Sequence, residues 1–163
     1  MPRLADNQCY QVVKAGLDVA PIVALLDRLP FMGINYHILA GSDPNRPACD
    51  VVLADKFPSD LIAFIGQLDL GGTTGRMVLR RLNPGQNIPL HTDAWMPGEL
   101  NWRRFQIPLV SAPDVKMRWP DDGADVHLEP GNVYEVRYDR PHEVVNPSAT
   151  RIHLQIDQID ATI

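Results

Sequence analysis

From Gly75 onward the chain is cut into short apolar runs, each bounded by Pro, Gly, Asn or Asp. The runs fall at 77–82, 88–93, 104–110, 115–119, 125–128, 132–138, 143–145 and 150–156. Turn formers separate them: Asn83-Pro84-Gly85, Asp121-Asp122-Gly123, Glu129-Pro130-Gly131 and Asn146-Pro147-Ser148. The whole chain carries 15 prolines against 11 glycines, and proline interrupts helices and central strands alike. About eight short strands with this punctuation predict an antiparallel sandwich or barrel. We therefore expect a mainly β fold, a double-stranded β-helix (jelly-roll) core over 75–160.

The N-terminal part reads differently. Asp18 is placed to cap a helix over 19–29, which stops before Pro30. Ile22, Val23, Leu25, Leu26 and Leu29 give it one broad apolar face, suited to packing on a sheet. Ser59 or Asp60 could cap a second helix over 61–68. Residues 41–49 read as a loop, and Gly71-Gly72 as a turn. The expectation is one domain, 1–163, with residues 1–70 as a mixed helical buttress. A length of 163 residues suits one domain.

Composition excludes several classes. Hydrophobic residues make up 45% and charged residues 21%, as in globular proteins and unlike disordered or coiled-coil chains. The net charge of −5 is unsuited to sequence-independent phosphate binding, so no nucleic-acid partner is expected. No apolar run reaches the ~20 residues of a membrane span, and the N-terminus lacks a secretory pattern. Cys9 and Cys49 belong to no C-x-x-C pair, which points to a reducing cytoplasm.

Three features of the β region converge on chemistry. His91 and Asp93 lie two apart, so on a strand they point to one face. His142 follows 49 positions after Asp93, at the start of another expected strand. Two histidines and a carboxylate on one face form the facial triad of non-haem Fe(II) sites, which leaves three positions open on an octahedral metal. Arg151 is the third feature. If Asn146 to Ala149 forms an even turn, His142 faces His153 and Val144 faces Arg151, and parity puts His142, Arg151 and His153 on one face. A guanidinium buried beside a metal needs an anion. A dicarboxylate chelating the metal at one end and meeting Arg151 at the other would supply it. Each part has a plainer reading. An isolated H-x-D is common, His142 after Pro141 suits a turn, and Arg151 suits a surface ion pair. His37, His127 and His153 are competing ligands.

Several segments together resemble the aspartyl/asparaginyl β-hydroxylase family. They are Leu79-Arg80-Arg81-Leu82-Asn83-Pro84-Gly85, Ile88-Pro89-Leu90-His91-Thr92-Asp93 and Arg104-Phe105-Gln106-Ile107-Pro108-Leu109. They continue with Glu129-Pro130-Gly131-Asn132-Val133-Tyr134, Asp139-Arg140-Pro141-His142-Glu143-Val144-Val145-Asn146 and Arg151-Ile152-His153-Leu154. The resemblance spans about residues 75–160. It implies an Fe(II)- and 2-oxoglutarate-dependent oxygenase on a double-stranded β-helix. His91, Asp93 and His142 would then hold iron, and Arg151 the distal carboxylate of 2-oxoglutarate. Arg104 matches an arginine at the active-site mouth, a candidate anion binder for co-substrate or substrate. Gln106 stands where the family commonly has histidine; it can still donate to a carboxylate, but as a neutral group. With O2, such an enzyme converts 2-oxoglutarate to succinate and CO2 while hydroxylating a C–H bond. The substrate would be an amino-acid side chain, free or in a peptide.

Trp95, in a loop after the H-x-D, and Trp102 would wall a substrate pocket or simply cover the barrel end. Arg80 and Arg81 lie on opposite strand faces, so only one can point inward, where it would suit an anionic substrate. Asn83 and Asn146 read as turn formers. Glu135, Arg137 and Asp139 read as a solvated strand face. Two other readings stay open: a cupin-type metal enzyme that does not use 2-oxoglutarate, and a non-catalytic jelly-roll binding protein. Pro141-His142 with Asn146 favours the former; Asp93 in place of a second histidine, and Arg151, oppose it.

Overall fold

The structure is a computed structural model that describes residues 4–34, 49–93 and 102–159. Thirteen elements follow in order: β1 (Tyr10–Lys14), α1 (Ala20–Val23), β2 (Met32–Ile34), β3 (Cys49–Leu53), α2 (Ser59–Gly66), β4 (Thr73–Leu82), β5 (Ile88–His91), β6 (Trp102–Val110), β7 (Lys116–Trp119), β8 (Ala124–Val126), β9 (Val133–Val136), β10 (His142–Val145) and β11 (Arg151–Ile159). Seven strands form one sheet in the order β1-β9-β6-β11-β4-β3-β2, and four form another in the order β5-β10-β7-β8. All pairings are antiparallel. The fold is mainly β with a jelly-roll core. Among the described residues no helix is long and apolar enough to cross a membrane.

The larger sheet is built around β11, whose residues 151–157 alternate polar and apolar. Ile152, Leu154 and Ile156 face one way, into a core with Leu79, Phe105, Ile107 and the helix residues Ile22, Leu26 and Leu61. Each such side chain contributes roughly 1.5–3 kcal/mol by leaving water. Arg151, His153, Gln155 and Asp157 face the other way, towards the smaller sheet, and all four are buried. Apolar residues close that inter-sheet space around the polar stripe: Val51, Val78, Leu82 and Tyr134 from the larger sheet, and Met117, Trp119 and Val144 from the smaller. Gly123 sits at φ 67° between β7 and β8, a left-handed conformation that costs glycine least.

Several expectations are corrected. The β10–β11 hairpin does not exist. β10 pairs with β5 and β7, whereas β11 pairs with β4 and β6 in the other sheet. Asn146 explains the crossover. It is fully buried, its Nδ2 donates to the Asn83 carbonyl, and its backbone N–H is taken by Asn87 Oδ1. The residue read as a turn former therefore pins the chain as it changes sheets.

The helix over 19–29 is broken into α1 and a 3-10 turn, Leu26–Arg28. The chain coils to bury Ile22 and Leu26 rather than completing regular turns. Asp18 does accept the Ala20 N–H at 3.0 Å. The second helix begins at Ser59, with Pro58 at its N-cap position and no side-chain cap. Three unexpected strands, β1, β2 and β3, hydrogen-bond the N-terminal third into the larger sheet. Glu135 is buried, not solvated: β1 covers β9, Gln11 Nε2 donates to Glu135 at 2.7 Å, and Arg103 pairs with it through two bonds.

Candidate metal centre

His91 ends β5 and His142 begins β10, and the two residues are directly paired across the smaller sheet. Their rings lie 4.4 Å apart between centroids. Asp93 follows two residues after His91, held by its backbone N–H on the Tyr138 carbonyl at 3.0 Å. Ligand atoms of His91, Asp93 and His142 all lie within 4.8 Å of one another, the only such trio found among the described residues.

The protonation of this trio is fixed by its neighbours. His91 Nδ1 sits 2.8 Å from the Pro89 carbonyl, and His142 Nδ1 2.8 Å from the Arg140 carbonyl. A carbonyl only accepts, so each Nδ1 carries the proton and each Nε2 keeps its lone pair. Burial pushes His142 down to about 4 and His91 in the same direction. Both imidazoles are therefore neutral at pH 7, as metal ligation demands. Asp93 divides its oxygens. Oδ1 lies 3.6 Å from His91 Nε2, while Oδ2 accepts from Arg104 Nη1. One oxygen faces the trio and the other is occupied, so the residues present fit a two-histidine, one-carboxylate metal site.

The larger sheet supplies the cationic side of the same space. Arg80, Arg104, Gln106, Arg151, His153 and Gln155 line a small cavity of about 30 Å³ with the trio. Arg151 enters from the start of β11, donates to Gln106 Oε1 at 3.1 Å and to His153 Nδ1, and meets no carboxylate among the described residues. Burial, with the Arg80 charge second, pushes its guanidinium down to about 9. Burial also lowers His153 well below the usual imidazole range, with the Arg151 charge next. Arg80 donates to Gln155 Oε1 at 3.0 Å, whereas Arg81 turns outward to Asp50. Thus Arg80 is the inward member of the pair.

Of the competing ligands, His153 lines the cavity but serves Arg151, and His127 lies past the end of β8 against the Val115 carbonyl. His37 and Trp95 lie outside the described residues. Trp102 lines a second cavity, beyond Arg104. Its ring packs on Gly75, where a Cβ would come within 2.6 Å. Asp157 is the residue that sequence reasoning missed. It is fully buried and accepts from Arg104 Nε and Nη2, Arg76 and Gln155. The alternation of β11 places it inward, and that signal was available.

No protein-family model matches the chain, and no curated protein does. Solved structures share the fold. The carbocyclase SnoK from nogalamycin biosynthesis, described as non-haem and alpha-ketoglutarate-dependent, aligns with a TM-score of 0.66 at 16% identity, covering 95% of this chain and 81% of that one. A prolyl-4-hydroxylase from Pseudomonas putida gives 0.62 at 16% identity, covering 94% and 93%. The collagen prolyl hydroxylase of Paramecium Bursaria Chlorella virus-1, solved as its 2OG complex, gives 0.59 at 12% identity, covering 96% and 98%.

Proposed function

We propose that this chain is an Fe(II)- and 2-oxoglutarate-dependent dioxygenase. It hydroxylates an amino-acid side chain, either of a free amino acid or of an Asp/Asn-type residue in a peptide. The observation that carries this reading is the pairing of the His91–Asp93–His142 trio with a fully enclosed Arg151 that has no carboxylate partner among the described residues. A metal enzyme that makes no use of a dicarboxylate gives Arg151 nothing to bind. The fold shared with several 2-oxoglutarate-dependent oxygenases supports the same reading.

His91 Nε2, His142 Nε2 and Asp93 Oδ1 would hold the metal. Fe(II) held there, with 2-oxoglutarate and O2, would supply the oxidising power for hydroxylating an unactivated C–H bond, with succinate and CO2 as co-products. The protein's part is binding, orientation and exclusion of water. Arg151 takes the distal carboxylate through charge-assisted bonds, which are strong in a dry interior. Gln106 orients Arg151 through its Oε1 and leaves its amide N–H groups to donate to the co-substrate. Arg104 holds Asp93 in place through Oδ2. Trp102, in the wall of the second cavity, belongs to the substrate side, and Arg80 lines the metal cavity with Arg151, where it would meet an anionic ligand.

The test is succinate formation from 2-oxoglutarate with Fe(II) and ascorbate, in wild type and His142→Ala. Wild type is expected to turn over, at least in the uncoupled mode, and the variant to stay at background. Absence of both turnover and 2-oxoglutarate binding in wild type would refute the reading.

A further inference from the structure

Asp157 touches none of the three metal-site residues, yet it is bound to their neighbour. It lies on β11, directly paired with Arg104 of β6. It is 0% exposed, so protein donors alone must meet its charge. Arg104 meets it with one whole edge: Nε donates to Oδ1 at 2.7 Å and Nη2 to Oδ2 at 3.1 Å. Arg76 reaches it from β4, with Nε 3.1 Å and Nη2 3.0 Å from Oδ2. Gln155 Nε2 donates to Oδ1 at 3.3 Å and to Oδ2 at 3.1 Å. Three side chains thus fix both oxygens of this carboxylate.

The effect reaches Asp93 through Arg104. A guanidinium and a carboxylate pair best edge to edge, in two parallel bonds that take both oxygens. Arg104 makes that pair with Asp157. Its remaining terminal nitrogen, Nη1, donates to Asp93 Oδ2. Asp93 Oδ1 stays on the side of His91, 3.6 Å from Nε2. Tyr138 braces both partners, its ring centre 5.0 Å from Arg104 Cζ and its carbonyl accepting the Asp93 N–H at 3.0 Å. Without Asp157 the Arg104 fork could close on Asp93. A fixed cation would then compete with a metal ion for Oδ1.

Resting on the metal-centre reading, we propose that Asp157 is a positioning residue for the metal: by holding the Nε–Nη2 edge of Arg104, it limits that guanidinium to one point of contact with Asp93 and keeps Oδ1 available as a one-oxygen metal ligand. Outer partners that orient a ligating carboxylate are part of a metal site. Here the partner of the partner decides which oxygen is offered. Arg76 and Gln155 serve by fixing Asp157.

The experiment measures Mn(II) affinity of the full chain by equilibrium dialysis, with no co-substrate or turnover involved. Wild type is expected to bind one Mn(II), and His142→Ala to lose it. Asp157→Asn keeps the size of the side chain but turns an amide N–H group towards arginine donors. It should weaken Mn(II) binding about ten- to hundredfold. Adding Arg104→Lys to that variant should recover most of the affinity, because lysine keeps the charge and a donor but cannot form a fork. A purely structural role for Asp157 predicts no such rescue. A loss smaller than about tenfold, or one that Arg104→Lys fails to repair, would overturn the proposal. If the variants do not fold, wild-type crystals with Mn(II) decide. Asp93 is expected on the metal through one oxygen, with the Arg104 edge still on Asp157. Both Asp93 oxygens on the metal, or the Arg104 fork on Asp93, would overturn it. Failure of wild type to bind Mn(II) through His142 would instead bring down the metal-centre reading, and this proposal with it.

Discussion

Arg151→Met should move two measurements in opposite directions. In the ligand-free protein the guanidinium is a buried charge with no carboxylate partner among the described residues. Burial first and then the Arg80 charge lower its pKa from the usual value to about 9, which corresponds to about 5 kcal/mol against the charged form at 1.36 kcal/mol per pH unit. That penalty is fully present at pH 7, below both values. Methionine removes it but strands the acceptors Gln106 Oε1 and His153 Nδ1, at about 1–3 kcal/mol each. The balance centres on about 1 kcal/mol in favour of the variant, or roughly 2–4 °C in Tm for a chain of this size. Co-substrate binding should suffer instead. Removing one partner of a buried charged contact costs roughly 2–5 kcal/mol, about thirty- to several-thousandfold in affinity. Thermal melts of metal-free protein and calorimetric titration of 2-oxoglutarate into the Mn(II) form read the two effects. A variant that melts several degrees lower while binding 2-oxoglutarate as tightly as wild type would refute the reasoning.

His142→Ala should weaken divalent-metal binding by more than the ~10–100-fold seen when a ligand's supporting partner is lost; equilibrium dialysis with Mn(II) checks this. Metal-free stability should depend on pH with a definite sign. His142 titrates near its ordinary 6.5 unfolded and near 4 folded, so its contribution is present above pH 6.5 and lost as pH falls to about 4. The change is about 3 kcal/mol, with His91 and His153 acting in the same direction. Urea melts across that window should show stability falling on acidification; a rise would contradict the buried neutral histidines. Leu154→Ala, at a fully buried position in the central strand, should cost about 2–5 kcal/mol in the same melts without altering metal stoichiometry.

Sequence carried further in some places than others, for physical reasons. The runs at 77–82 and 104–110 lie in β4 and β6, and the run at 150–156 falls on β11 from Arg151 onward, because turn residues bound them; in β6 and β11 their apolar positions also alternate. The H-x-D and His142 met because β5 and β10 are neighbours, a pairing that local pattern does not encode. Arg151 reached the same space as His142 by a route the sequence reading had wrong. The two come from facing sheets, not from one hairpin, because the buried Asn146 side chain makes a crossover look like a turn. β1 is half-polar and β2 only three residues long, so neither has the periodicity that marks a strand. Missing β1 hid the burial of Glu135, whose charge looks solvated until a neighbour covers it. Asp157 was legible from parity but carried no motif.

Anomalous diffraction from crystals grown with Mn(II) and 2-oxoglutarate tests the central claim most directly. A single metal peak is expected within bonding distance of His91 Nε2, His142 Nε2 and one Asp93 oxygen, with the diacid running from that ion to Arg151. A metal bound elsewhere, or a diacid that leaves the Arg151 guanidinium without a carboxylate, would contradict the account.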